Sequence, residues 1–177
     1  MARTHMARNH SVGIGIVGLG FMGVTHFLSA RTLNAGRVRA IVTADPKKAR
    51  GDFRGVRGNF GAGGGKVDLK GPQVHASLDA LLEDPAVELV DICLPSYLHA
   101  TAAQKALRAG KHVLVEKPLA TSVEDARAIV AAAETTGVRL MVDFHARWHP
   151  LFMGARGYVD RGELGAPVMA YARLSDT

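Results

Sequence analysis

The stretch GIGIVGLGFMG, residues 13–23, satisfies the spacing G-x-G-x-x-G twice: as Gly13, Gly15, Gly18 and again as Gly18, Gly20, Gly23. Such a trio constrains a fold only where a strand runs into a helix. There the backbone must turn tightly, approach a pyrophosphate with no Cβ in the way, and aim the first helical N–H groups at it. The first frame fails, because only the polar tail MARTHMARNHSV precedes it and two further glycines stand where its helix would begin. The second frame passes. VGIGIV reads as a buried strand weakened by two glycines. FMGVTHFLSARTLNAG reads as a helix with apolar Phe21, Val24, Phe27 and Leu28 that ends at Gly36. Gly18, Gly20 and Gly23, with Phe21 and Met22 between them, form the candidate phosphate turn.

Downstream, strands and helices alternate. RVRAIV reads as the second strand, SLDALLED as a short helix capped by Ser77, and VELVDICLP as a buried strand. HATAAQKALRAG is a helix stopped at Gly110, followed by the strand KHVLV. TSVEDARAIVAAAETTG is a helix whose Thr121 and Glu124 have capping-box spacing and whose Val123, Ala126, Ile129, Val130 and Ala133 share a face; VRLMVDF closes the series as a strand. Right-handed crossovers make this an α/β fold, a Rossmann-type doubly wound parallel sheet over residues 12–146, preceded by a flexible tail, residues 1–11. Residues 51–71, GDFRGVRGNFGAGGGKVDLKG, are too rich in glycine for a helix and read as a long, flexible surface loop.

HPLFMGARGYVDRGEL reads as a linking helix and APVMAYARLSDT as an opening strand, so residues 147–177 read as the start of an incomplete α+β second domain. On this reading the chain is the nucleotide-binding half of a larger protein. Val168, Met169, Tyr171 and Leu174 would lack sheet neighbours, so this tail would either be mobile or pair with another chain, which favours a homo-oligomer.

Composition removes several function classes. The single cysteine, Cys93, excludes a disulfide framework and suits a reducing cytoplasm. The net charge of +6 is spread along the chain without a basic run or interleaved aromatics, which argues against nucleic acid as a partner. No stretch approaches the roughly 20 apolar residues of a membrane span. Arg3 and Arg8 precede an apolar run, and LSA at residues 28–30 resembles a cleavage site. Cleavage there would destroy the strand and helix just identified.

In a doubly wound sheet, ligands bind beyond the carboxyl ends of the strands. The chemically loaded residues fall there: the glycine turn, then Leu94, Pro95, Ser96 and His99, then Glu116 and Lys117, and finally HARWHP. Lys117, flanked by Glu116 and fixed by Pro118, is the first choice for moving a hydroxyl proton. The plainer reading makes Glu116 and Lys117 a surface ion pair. His145 and His149 are four apart, but no acidic third ligand has matching helical spacing and Pro150 follows at once, so no metal site is assigned.

At GIVGLGFMG, ICLPSYLHA, GKHVLVEKPLA and MVDFHARWHPLF the sequence resembles the Gfo/Idh/MocA oxidoreductase family. The resemblance implies a dinucleotide-binding domain followed by a domain built on a large, mostly antiparallel sheet. It also implies NAD or NADP as cofactor and a sugar or polyol as the partner in hydride transfer. It assigns Lys117 to the nicotinamide and substrate and places His99 near the cofactor. Two departures bear on detail. Ser96 stands where the family's asparagine is expected, keeping a donor and an acceptor on a shorter arm. At the end of the second strand Thr43 stands where an NAD enzyme carries an acid for the ribose hydroxyls, with Asp45 two places late and Lys47, Lys48 and Arg50 close behind. A hydroxyl with nearby cations tolerates a 2′-phosphate, which leans the expectation to NADP. The alternatives are a non-catalytic dinucleotide-binding or sensor module, and an assembly protein that pairs through its last strand.

Overall fold

In the computed structural model, which describes residues 11–58 and 64–173, β1 (Val12–Val17) lies inside a six-stranded, all-parallel sheet. Its neighbours are β2 (Gly36–Val42), β3 (Gln73–His75), β4 (Leu89–Ile92), β5 (His112–Glu116) and β6 (Leu140–Asp143), in the order β3-β2-β1-β4-β5-β6. The chain runs outward from β1 to β3, then returns to β4 on the other side of β1. The resulting crevice opens between the carboxyl ends of β1 and β4, where crossovers lead away in opposite directions. The helices are α1 (Phe21–Ala30), α2 (Leu78–Glu83), α3 (His99–Arg108) and α4 (Val123–Thr136).

Strand periodicity divides the core in two. On one face Val17, Val90, Ile92, Val113 and Val115 pack with Ala102, Ala103, Ala106 and Leu107 of α3 and with Ile129 of α4. On the other, Ile14, Ile16 and Ile41 pack with Val24, Phe27 and Ala30 of α1 and with Phe53 and Val56. The register aligns Ile16 of β1 with Asp91 of β4 and Val17 with Ile92. The α1 face is therefore apolar over β1 and β2 and turns polar at β4.

Several elements differ from the sequence expectation. α1 stops at Ala30, and Gly36 opens β2 instead of ending the helix. Residues 31–35 are all exposed, so a longer helix would have no buried face to stabilise it. The cap of α4 lies one residue later than expected: Ser122 Oγ accepts from the Asp125 N–H at 3.1 Å, displacing the Thr121 and Glu124 pair. Val123 and Val130 of α4 are exposed; its buried anchor is Ile129. β3 is three residues long, too short for alternation to reveal it.

The glycine-rich segment is anchored where it is described. Phe53 is fully buried with its ring edge-on to Phe27 at 5.8 Å, and Val56 is buried beside it. Asp52 and Lys66 form an antiparallel bridge, supported by Phe53 N–H to Gly65 O and Val67 N–H to Gly51 O, both 2.9 Å. Its glycines exclude a helix, but Phe53 and Val56 still find the core, and Val67 and Leu69 pack against it.

The first compact unit ends at Asp143, and residues 144–177 form a second. In the latter, α5 (Pro150–Asp160) starts with proline at its first turn, and His149 Nδ1 accepts from the Leu151 N–H. The opening strand expected at residues 166–177 is not formed in the part described, residues 166–173, where Val168, Met169 and Tyr171 are exposed. An extended segment without a paired neighbour has nothing to hold it as a strand. Leu174 lies outside the described residues. Among the described residues no helix is long and apolar enough to cross a membrane.

Phe53 ties the glycine-rich segment to α1, so Phe53→Ala is expected to lower unfolding free energy by about 3–5 kcal/mol. Urea denaturation checks this, and a loss below 1 kcal/mol would mean that the segment is not part of the cooperative core.

Candidate functional site

The turn between β1 and α1 is built by close approach. Gly18 has φ +91°, and a Cβ on Gly23 would lie 1.9 Å from Gly18 O, so α1 can begin directly on the turn only with glycine at Gly23. Gly20 is the N-cap residue, exposed, with open space where a Cβ would sit. Among the described residues no side chain caps α1 and no acid occupies its first turn, which leaves its positive end over half-buried Phe21 and Met22. Gly13 belongs to the strand: a Cβ there would stand 1.8 Å from Ala86 O, which accounts for the glycine repeat inside β1.

Thr43 follows β2, and its Oγ1 accepts from the Asp45 N–H at 3.3 Å. Asp45 in turn accepts from the Lys47 N–H at 2.8 Å, so its carboxylate caps the turn that follows. Asp45, Lys47, Lys48, Asp52 and Arg54 line an open cavity of about 510 Å³. Arg54 is engaged with Asp52 at 2.7 Å, and its hydrogen bonds hold the Asp52 carboxyl well below the usual carboxylate range.

After β4 come half-buried Leu94, exposed Pro95, and Ser96, which opens a 3₁₀ turn leading into α3. His99 is 1% exposed. Its Nδ1 lies 2.7 Å from Pro118 O and its Nε2 2.8 Å from Leu94 O. The ring thus lies between carbonyls of the loop after β4 and the loop after β5; a neutral imidazole carries one N–H and donates to one of the two, according to its tautomer. Glu116 is buried, and its Oε2 accepts from the Lys117 backbone N–H at 3.0 Å. Lys117 is exposed, precedes a cis peptide to Pro118, and among the described residues its side chain forms no ion pair with Glu116. The structure thus gathers the glycine turn, Leu94, Ser96, His99, Glu116 and Lys117 at the carboxyl ends of β1, β4 and β5. Thr43 stands apart, at the end of β2.

Sequence reasoning missed a polar cluster on the α1 face. His26 of α1 places Nδ1 2.9 and 3.1 Å from the two carboxylate oxygens of Asp91, and Nε2 3.4 Å from Glu116 Oε1 and 3.2 Å from Asp143 Oδ2. Glu116 and Asp143 are register partners on β5 and β6. Burial disfavours the imidazolium, but the Asp91 hydrogen bond and the charges of Asp91, Asp143 and Glu116 outweigh it and raise the His26 pKa from 6.5 to about 9. Burial, followed by the Asp91 charge, pushes the nearby Cys93 thiol up. The available signal was an acid in the middle of the apolar run VELVDICLP, where a carboxylate needs a partner.

Residues 12–144 match the model of the Gfo/Idh/MocA group, described as an oxidoreductase family with an NAD-binding Rossmann fold. The chain belongs to the Gfo/Idh/MocA family. It is 31% identical over 163 residues to levoglucosan dehydrogenase of Pseudarthrobacter phenanthrenivorans, covering 88% of this chain and 38% of that protein. It is 34% identical over 99 residues to an NADP(+)-labelled scyllo-inositol 2-dehydrogenase of Bacillus subtilis, covering 56% of this chain and 28% of that one. Among solved structures, an NAD binding oxidoreductase from Klebsiella pneumoniae superposes with a TM-score of 0.75 at 31% identity, covering 89% of this chain and 41% of that one. The chain thus spans well under two thirds of the length of these Gfo/Idh/MocA proteins.

The elevated His26 pKa has a signed consequence. The folded chain binds more protons at His26 than the unfolded chain between the two pKa values, so this contribution to stability is complete below pH 6.5 and is lost as pH rises through about 9. In urea unfolding, the wild type is expected to lose more stability across that window than His26→Gln. Parallel pH profiles for the two proteins would show that the Asp91 pairing does not stabilise the imidazolium.

Proposed function

We propose that this chain is the dinucleotide-binding part of an NAD(P)-dependent oxidoreductase that transfers a hydride between nicotinamide and the carbinol carbon of a sugar or polyol. The observation that carries the reading is the Gly18 turn opening into an uncapped helix, with open space at Gly20, beside the β1/β4 crevice. Gly18, Gly20, Phe21, Met22 and Gly23 would hold the pyrophosphate, with Thr43 at the adenosine ribose. Leu94, Pro95 and Ser96 would form one wall of the nicotinamide site, and His99 would hold that wall to the loop carrying Lys117. A bound nicotinamide dinucleotide supplies or accepts the hydride. Glu116 fixes the Lys117 amide, and Lys117 Nζ hydrogen-bonds the reacting hydroxyl and moves its proton, a contribution worth roughly 10²- to 10⁴-fold in rate.

The resemblance of the whole set of motifs to dehydrogenases of sugar-like alcohols supports the substrate class. We further infer a cytoplasmic homo-oligomer: Cys93 is unpaired and buried, and exposed Val168, Met169 and Tyr171 offer apolar surface for a second copy to cover. The finer cofactor reading favours NADP. Thr43 carries no charge, and Lys47 and Lys48 line the adjoining cavity together with Asp45 and Asp52, whose carboxylates accept from the Lys47 N–H and from Arg54, so a 2′-phosphate would meet the two lysines there.

Fluorescence titration with NADPH and NADH is expected to show NADPH binding at least as tightly; a tenfold preference for NADH, about 1.4 kcal/mol, would reject the NADP reading. In the full-length protein, Lys117→Ala is expected to retain cofactor binding and to lower turnover roughly 10²- to 10⁴-fold. Unchanged turnover would return Lys117 to the surface.

A further inference from the structure

The polar cluster on the α1 face holds more acceptors than its donors can serve. Asp91, Glu116 and Asp143 converge on one imidazole, that of His26. Even the doubly protonated ring sets one positive charge against three carboxylates. The Nε2 side has a single N–H for two carboxylate oxygens, at 3.2 and 3.4 Å. Glu116 Oε1 is buried and accepts no hydrogen bond, although its side chain is only 7% exposed. A buried carboxylate oxygen without a donor is costly, so its retention asks for another positive partner.

The geometry supplies a place for one. Both oxygens of Asp91 face Nδ1, which keeps the proton on that nitrogen and leaves Nε2 to point between Glu116 and Asp143. This is the carboxylate–histidine arrangement that orients metal-binding imidazoles. Four-coordinate zinc, with bonds of roughly 2.0–2.1 Å to nitrogen and oxygen, separates adjacent ligand atoms by about 3.3 Å. The two separations from Nε2 bracket that value. The ligand atoms of His26, Glu116 and Asp143 all lie within 4.8 Å of one another. They come from α1, β5 and β6, and the two strands are locked in register. Cys93 is not among them, because its Sγ approaches the Nδ1 side of the ring, 3.4 Å from that nitrogen.

We propose that His26 Nε2, Glu116 Oε1 and Asp143 Oδ2 form a binding site for one divalent cation of the zinc class, with Asp91 orienting the imidazole and water completing the coordination. The other oxygen of Glu116 holds the Lys117 amide, so the cation would sit at the base of the loop carrying Lys117. The proposal stands on the cluster alone and does not depend on dinucleotide binding.

The test is calorimetric titration of the chelator-treated chain with Zn²⁺, paired with visible absorption on adding Co²⁺. One tight equivalent is expected, with Co²⁺ giving the intense bands of a low-coordinate N/O site. Asp143→Asn should abolish that equivalent, and Asp91→Asn should weaken it about 10- to 100-fold. Absence of a tight equivalent in a chain that circular dichroism shows to be folded would overturn the proposal. So would an unchanged equivalent in Asp143→Asn, which would assign the metal to other histidines such as His145 and His149. If Asp143→Asn does not fold, the Co²⁺ spectrum of the wild type decides: only weak, six-coordinate bands would also overturn it, leaving the cluster as an imidazolium–carboxylate network.

Discussion

The approach of Gly23 to the carbonyl of Gly18 is the constraint on which the rest of the molecule depends. A side chain at Gly23 would push α1 away from the end of β1. Val24, Phe27 and Ala30 would then lose their seat on Ile14, Ile16 and Ile41, and Phe53 would lose the ring it packs against. The same approach sets the amino end of α1 over the crevice and brings His26 within reach of β4, β5 and β6. One steric condition thus serves the apolar core, the anion-facing helix end and the polar cluster.

The two halves of the α1 face obey different physics. Over β1 and β2 it is stabilised by removing aliphatic and aromatic surface from water. Over β4 to β6 it carries carboxylates whose desolvation must be offset by a cation, and His26 provides part of that charge. α1 spans both, with Phe27 on one side and His26 on the other, next to each other in sequence. The helix is amphipathic toward the protein itself and not only toward solvent.

Most of this fold was legible because doubly wound sheets use continuous apolar strands and capped helices, both local signals. The phosphate turn, the Ser77 cap and the strands around Ile16, Ile92 and Val115 follow from short windows of residues. What escaped depended on distant partners. The core role of Phe53 hangs on Phe27, the end of α1 on exposure of residues 31–35, and the seat of the His99 ring on carbonyls 5 and 19 residues away. The cluster of His26, Asp91, Glu116 and Asp143 is assembled from four elements, and no spacing rule in one segment reports it. At the candidate site, residue types at strand ends were readable, whereas the buried orientation of Glu116 and the exposure of Lys117 required the fold.

The bridge made by His99 has a consequence for how the crevice behaves before anything binds. One buried ring lies between Leu94 O and Pro118 O, within hydrogen-bond distance of both, so the loops after β4 and β5 pack on the same side chain before anything binds. The ordering of those loops was accomplished during folding, so a guest would be spared that entropy, and affinity would depend on contacts more than on rearrangement.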